Sequence, residues 1–128
     1  MRFAVQTACL ALLMTSAVAA HHGSAGYHVD REVSVSGTIA SFRWINPHIR
    51  IVLTVTDPAG TRTRLDCEGP PLSWAADRGW SEKTLAEGER VTVVMYPAKQ
   101  EGRGGLVKRI ERPGGETLVV SRPWLDGR

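Results

Sequence analysis

Three strands, a short helix and then two or three more strands follow one another in this sequence. That order predicts a mostly β fold, a small OB-fold-like barrel of five or six strands with one short helix between strands three and four. Two further observations support it. Apolar residues alternate with period two through most of the chain, which turns one face of each strand inward. The first strand is long and changes apolar parity along its length, as a strand shared by both halves of a barrel must. An open sandwich of the same strands is the alternative.

Glu32 to Ile45 reads as the first strand, with Val33, Val35 and Ile39 on one face and Phe42 and Trp44 shifted in phase. A bulge or sharp coil between Gly37 and Ser41 accounts for the shift. Asn46-Pro47 signals a turn. In strand two, His48 to Thr56, Ile49, Ile51, Leu53 and Val55 face inward and His48, Arg50 and Thr54 outward. Asp57-Pro58-Ala59-Gly60 makes a hairpin turn into strand three, Thr61 to Glu68. Pro70 to Gly79 reads as the helix, prolines at its start and Gly79 just past its end. Ser81 to Leu85 offers one more turn. Strand four runs from Arg90 to Tyr96, with Val91, Val93 and Met95 inward. Gly102 to Gly105 reads as a flexible loop, Leu106 to Glu111 as strand five and Thr117 to Val120 as a short last strand.

The chain opens with an address. Met1-Arg2 is a short positive start, Ala4 to Met14 is largely apolar, and Ala17-Val18-Ala19-Ala20 supplies small residues for cleavage. This is the pattern of a secretory signal peptide cleaved after Ala19 or Ala20, and it predicts a periplasmic or secreted protein. The expected organisation is a signal over residues 1–20, a histidine-containing arm over 21–31, the barrel over 32–120 and a loose tail over 121–128. Cleavage removes Cys9 and leaves Cys67, which shares the inward face of its strand with Leu65 and reads as a buried, inert thiol.

At 128 residues the chain holds one domain, and 42% hydrophobic residues suffice for a core. The net charge of +3 is dispersed without like-charge runs, unlike the basic stripe of a nucleic-acid binder. No stretch approaches the roughly 20 apolar residues of a membrane span. No Walker, CxxC, HExxH or GxSxG motif occurs, and nothing places a nucleophile beside a base. Neither nucleic acid nor catalysis is therefore expected.

The histidines are the most informative residues. His21 and His22 stand at the expected new N-terminus, and His28 and His48 follow. Cleavage after Ala20 frees the His21 amine, which chelates one ion together with its own Nδ1. One further imidazole then completes a nitrogen set that suits copper. Cleavage after Ala19 gives Ala20-His21-His22, whose amine, two amide nitrogens and imidazole form a square set for Cu(II) or Ni(II). Incidental histidines at a mobile end are the plain alternative. Asp66 and Glu68 share the outer face of strand three, as a carboxylate pair or as a solvated surface. Arg43, Arg50, Arg62 and Arg64 share the outer face of strands one to three. Arg43, Trp44, Asn46 and Arg50 are the candidate binding face for a protein or glycan partner. Trp74 and Trp80 read as core or as a staple beneath the helix.

Several segments stand together in a familiar order: His21-His22-Gly23-Ser24-Ala25-Gly26-Tyr27, Gly37-Thr38-Ile39, Phe42 to His48, Glu68-Gly69 through Gly79-Trp80, Leu85 to Val93, and Pro97-Ala98-Lys99. They resemble a family of small exported bacterial proteins known only as a domain of unknown function. Its members carry an HHSF-like motif after the signal and W-x-N-P-H in the first hairpin. The resemblance covers His21 to about Val120 and implies export and a barrel-like domain, with no reaction attached. The chain departs from it at Gly23-Ser24, where Ser-Phe is usual, and at Cys67.

Two functions follow as expectations. One is a non-enzymatic binding module that holds copper, or another divalent metal such as nickel, through His21, His22, His28 and His48. The other is an adaptor that binds a protein or glycan on its Arg/Trp face, with no metal.

Overall fold

A computed structural model describes residues 23–120, 122 and 125 of the chain. Six strands and one helix follow in order: β1 (Val33–Arg43), β2 (His48–Thr56), β3 (Arg62–Pro71), α1 (Leu72–Ala76), β4 (Arg90–Pro97), β5 (Gly105–Glu111) and β6 (Thr117–Val119). The sheet order is β3-β2-β1-β4-β5-β6, and a parallel pairing of β3 with β5 closes five strands into a barrel. This is the strand order expected of an OB-fold-like barrel, with β6 as an extra strand on β5.

β1 serves both halves, as its length and parity change require. Val33 to Thr38 pair with β4, and Thr38 to Arg43 pair with β2. The register slips between Ile39 and Ser41, and this bulge returns Phe42 to the inside. Gly37 lies where the strand coils, and a Cβ there would come within 2.7 Å of the Thr54 carbonyl oxygen. The β2–β3 hairpin is set by Asp57, whose carboxylate accepts the Thr61 N–H at 2.8 Å while Gly60 turns with a φ of +86°. The core joins Ile39, Ile49, Ile51, Leu53, Cys67, Val93, Met95, Val107 and Ile110, with Trp74 and Trp80 packed against it.

Three boundaries differ from expectation. Pro70 and Pro71 end β3 rather than opening the helix, and Pro71 pairs with His48. Proline is tolerated there because a strand terminus needs no further ladder donor. The helix is only five residues long, ending where Trp80 and Gly79 donate to the Ala75 and Ala76 carbonyls. Gly104 and Gly105 are buried rather than part of an open loop. A Cβ on Gly104 would meet Cys67 Sγ at 2.5 Å, and one on Gly105 would meet the Tyr96 carbonyl oxygen at 2.3 Å. They are glycine because the strands close the barrel against them.

A second, smaller apolar cluster forms on the outside of β4 and β5. Tyr96, Leu106 and Leu125 make it, with Tyr27 and Val29 against them. Tyr27 and Val29 from the N-terminal side and Leu125 from the C-terminal side thus cover the same outer wall. Of residues 121–128, expected as a loose tail, the structure describes Arg122 and Leu125, which are 3% and 6% exposed. The Arg122 guanidinium satisfies carbonyls of both seam strands, Gly69 and Val107. Among the described residues no helix is long and apolar enough to cross a membrane.

Candidate functional site

Strand alternation sends Ile49 and Ile51 into the core, so His48 and Arg50 face out. On β3, Cys67 is inside, so Asp66 and Glu68 face out. The hairpin register sets Arg50 opposite Glu68 and Val52 opposite Asp66. Arg50 donates from Nε to Asp66 Oδ1 at 3.0 Å, its Nη2 lies 2.9 Å from the same oxygen, and its Nη1 lies 3.7 Å from Glu68 Oε2. A register shift between His48 and Arg50 brings the His48 ring back over Glu68, with Nδ1 3.6 Å from Oε1.

The arm completes the arrangement. Tyr27 bridges to Ala98 beside the end of β4, flanked by hydrogen bonds from His28 N–H to the Pro97 carbonyl and from Lys99 N–H to the Gly26 carbonyl, both 2.9 Å. Its hydroxyl donates to Glu68 Oε2 at 2.6 Å. Burial, then the bond to Glu68, pushes the Tyr27 phenol up to about 12, so at neutral pH it stays a donor.

A groove of about 610 Å³ opens over these groups, lined by Gly23, Gly26, Tyr27, His48 and Glu68, with Ala98, Lys99, Gln100 and Arg103 of the β4–β5 loop. It lies between the N-terminal arm, the start of β2, Glu68 of β3 and the β4–β5 loop; OB-folds take their ligands on the face of strands two and three and the adjoining loops. A second groove, about 550 Å³, is lined by hydroxyls of Ser36, Thr38, Thr54, Thr56 and Thr92. Arg90, Glu111 and Arg112 line it too, but it holds no histidine, and the first groove is the one that takes in a candidate histidine.

The candidate residues are placed as follows. His21 and His22 lie outside the described residues. His28 is half-buried and takes no part in lining the His48 groove. Arg43 is exposed and pairs across the strands with Arg50. Asn46 is exposed in the turn, joined to Pro47 by a cis peptide bond. Trp44 is half-buried against the core, 6.3 Å from the Phe42 ring, so its indole serves packing. Asp66 and Glu68 do not form a carboxylate pair, because Arg50 stands between their charges.

Tyr27 is the site residue the sequence reading did not single out, and Glu68 was read only as half of a carboxylate pair or as solvated surface. Glu68 was legible, since the Asp57–Gly60 turn dictates that it faces Arg50. Tyr27 was not, since its partner is 41 residues away. Among the described residues no group of three or more His, Cys, Asp or Glu is gathered for a metal ion; His48 and Glu68 are two.

Cys67 is fully buried, with Sγ 3.9 Å from Met95 Sδ. Burial pushes its thiol up to about 11, the behaviour of an inert core residue. No curated protein matches the chain. The model of DUF6152, a family of unknown function, matches residues 9–109, and the chain belongs to that family.

Proposed function

We propose that the protein is an exported, non-enzymatic binding module that holds a divalent metal, copper foremost, between its mature N-terminus and His48. One observation carries this reading: the arm is docked so that Gly23 lines the same groove as His48 and Glu68. Gly23 directly follows His21-His22, and consecutive Cα atoms are about 3.8 Å apart. In this reading cleavage after Ala20 leaves a free amine and two imidazoles on the two residues that precede Gly23 in the chain. With cleavage after Ala19 the Ala20-His21-His22 set supplies four nitrogens of its own, and His48 is an outer partner. Nickel is the other ion suited to such nitrogen sets. The His48 ring is 38% exposed and so open to an incoming ion.

The test is a copper titration of the mature exported protein against a competing weak chelator, with intact mass fixing the cleavage site. One tightly held copper per chain is expected. Changing His21 and His22 together to Ala should abolish it, and His48→Ala should weaken it about tenfold or more, the order seen when a partner of a metal site is removed. Retention of full affinity by both variants overturns the proposal.

A second reading is favoured by Lys99 and Arg103, which line the outer wall of the same groove. It is an adaptor that takes an acidic glycan or an acidic protein segment. Capture of such a partner that survives loss of His21 and His22 but not of Arg103 supports it over the metal.

A further inference from the structure

We propose that the outer groove over β1 is a binding site for an acidic saccharide, with sugar hydroxyls seated on serine and threonine hydroxyls and a carboxylate drawn to Arg90. The inference rests on neither reading above and concerns a different face from the His48 groove.

Strand alternation builds the site. Val35 and Ile39 of β1, Leu53 of β2, and Val91 and Val93 of β4 turn into the core. Ser36 and Thr38, Thr54 and Thr56, and Arg90 and Thr92 therefore turn outward. Register then lines them up. Thr38 lies between Thr54 and Arg90, and Ser36 lies beside Thr92, which in turn faces Glu111. β1 pairs with β4 up to Thr38 and with β2 from Thr38 onward. The two halves of the barrel diverge at this point, and the groove of about 550 Å³ lies there.

Its hydroxyls are open to a ligand. Ser36 and Thr92 share one hydrogen bond at 2.7 Å. The hydroxyls of Thr38, Thr54 and Thr56 bond to no other group among the described residues. Three charged side chains border the groove. Arg112 is engaged by Glu89, Glu116 and the Thr84 carbonyl, and Glu111 by Arg109 at 2.8 Å. Arg90 is exposed and forms no ion pair among the described residues. The lining thus carries one uncompensated positive charge amid hydroxyls.

These features select the ligand class. A hydroxyl both donates and accepts, so a bed of them suits a ligand whose own groups do both, as a sugar ring does. The uncompensated guanidinium adds a preference for a carboxylate on that sugar, which it can hold with two parallel N–H bonds. Among the described lining no aromatic ring offers a nucleobase a face to stack on. Its apolar members, Val91 and Pro113, are too small to anchor a peptide side chain.

The experiment is a titration of the purified protein followed by amide chemical shifts in NMR. The probes are short oligomers of galacturonate, mannuronate and glucuronate, with neutral glucose oligomers and a glutamate oligomer as controls. Shifts centred on Ser36, Thr38, Thr54 and Thr92 are expected with at least one uronate and with neither control. Arg90→Gln should weaken that uronate about tenfold or more. Thr38→Val combined with Thr54→Val should weaken it about tenfold as well. Valine keeps the β-branched shape that suits a strand, so the barrel is retained in that variant. Absence of shifts with all three uronates, equal binding of either control, or unchanged affinity in either variant overturns the inference. A loss in Arg103→Gln without one in Arg90→Gln also overturns it and returns the glycan to the groove beside His48.

Discussion

The Tyr27 hydroxyl donates to Glu68 Oε2 at 2.6 Å, joining the N-terminal arm to β3 across 41 residues of chain. Apart from the outer apolar cluster, the described part of the arm is held by this charge-assisted bond and a short stretch of backbone pairing. Hydrogen bonds to charged groups contribute about 1.5–3 kcal/mol. Tyr27→Phe keeps the ring against Tyr96 and Leu106 and removes only the donor. We expect it to destabilise the fold by about 1–2 kcal/mol and to speed amide exchange at His28 and Lys99, whose N–H groups pair along the arm. Unchanged exchange at both amides would show that backbone pairing alone docks the arm.

The barrel seam makes a sharper prediction. Gly104→Ala drives a methyl into Cys67 Sγ, and Gly105→Ala drives one into the Tyr96 backbone oxygen. Overpacking of this kind costs typically about 1–3 kcal/mol. Cys67→Ala removes the sulfur that Gly104→Ala meets but cannot move a backbone carbonyl. A double-mutant cycle in denaturant should therefore show partial rescue of Gly104→Ala by Cys67→Ala and none of Gly105→Ala. Equal behaviour of the two pairs would mean that the seam relaxes by strand movement.

How far the sequence could be read depends on the range of the interactions. The β2–β3 hairpin was legible in its turn and its inward faces, because Asp57 and Gly60 fix the turn and the turn fixes the pairs from Arg50–Glu68 to Thr56–Arg62. The coil of β1 was legible from the phase jump between Ile39 and Phe42. The helix was read too long, because prolines that mark a helix start equally suit the end of a strand. The burial of Gly104 and Gly105 was hidden, since glycine signals a loop and a tight seam alike. The outer cluster left a trace in the apolar residues Tyr96 and Leu106, which sit out of phase with the core. Nothing local announces that Tyr27, Val29 and Leu125 cover them, since arm and tail meet only in the folded chain.

Ionisation adds two pH limits. Glu89 and Arg112 form a partly buried pair, with Arg112 also bonded to Glu116 and to the Thr84 carbonyl. Partial burial pushes Glu89 up, but the Arg112 bond, the Ala86 N–H and the Arg112 charge outweigh it and hold the carboxyl below its ordinary 4.5. A carboxylate depressed by folding stabilises the protein above its unfolded value and loses that contribution as pH falls through the folded one. Arg112→Met should thus reduce stability at pH 7 and converge on the wild type as the pH drops below about 4. Tyr27 acts at the other end. Folding raises its phenol to about 12, so its contribution is complete below 10 and is lost as pH climbs toward 12. Tyr27→Phe should flatten the alkaline limb of the stability curve and leave the acid limb alone. A parallel wild-type and variant profile at either end refutes the corresponding assignment.

Arg122 sets the last expectation. β3 and β5 meet in register only at Glu68 and Leu106. Just beyond that contact the Arg122 guanidinium donates to the Val107 carbonyl from Nη1 and to the Gly69 carbonyl from Nη2, the latter at 3.1 Å. One planar fork thereby bridges both strands of the seam, a geometry a lysine cannot copy with a single ammonium. Losing charged-group hydrogen bonds at a site only 3% exposed should cost about 2 kcal/mol or more. In a domain of this size each kcal/mol moves Tm by roughly 4–8 °C. Arg122→Ala should accordingly lower Tm by about 10 °C, Arg122→Lys should recover only part of it, and ending the chain at Val120 should cost at least as much as Arg122→Ala, because Leu125 leaves the outer cluster as well. A truncated chain that melts with the full-length protein would show that the barrel closes without its tail.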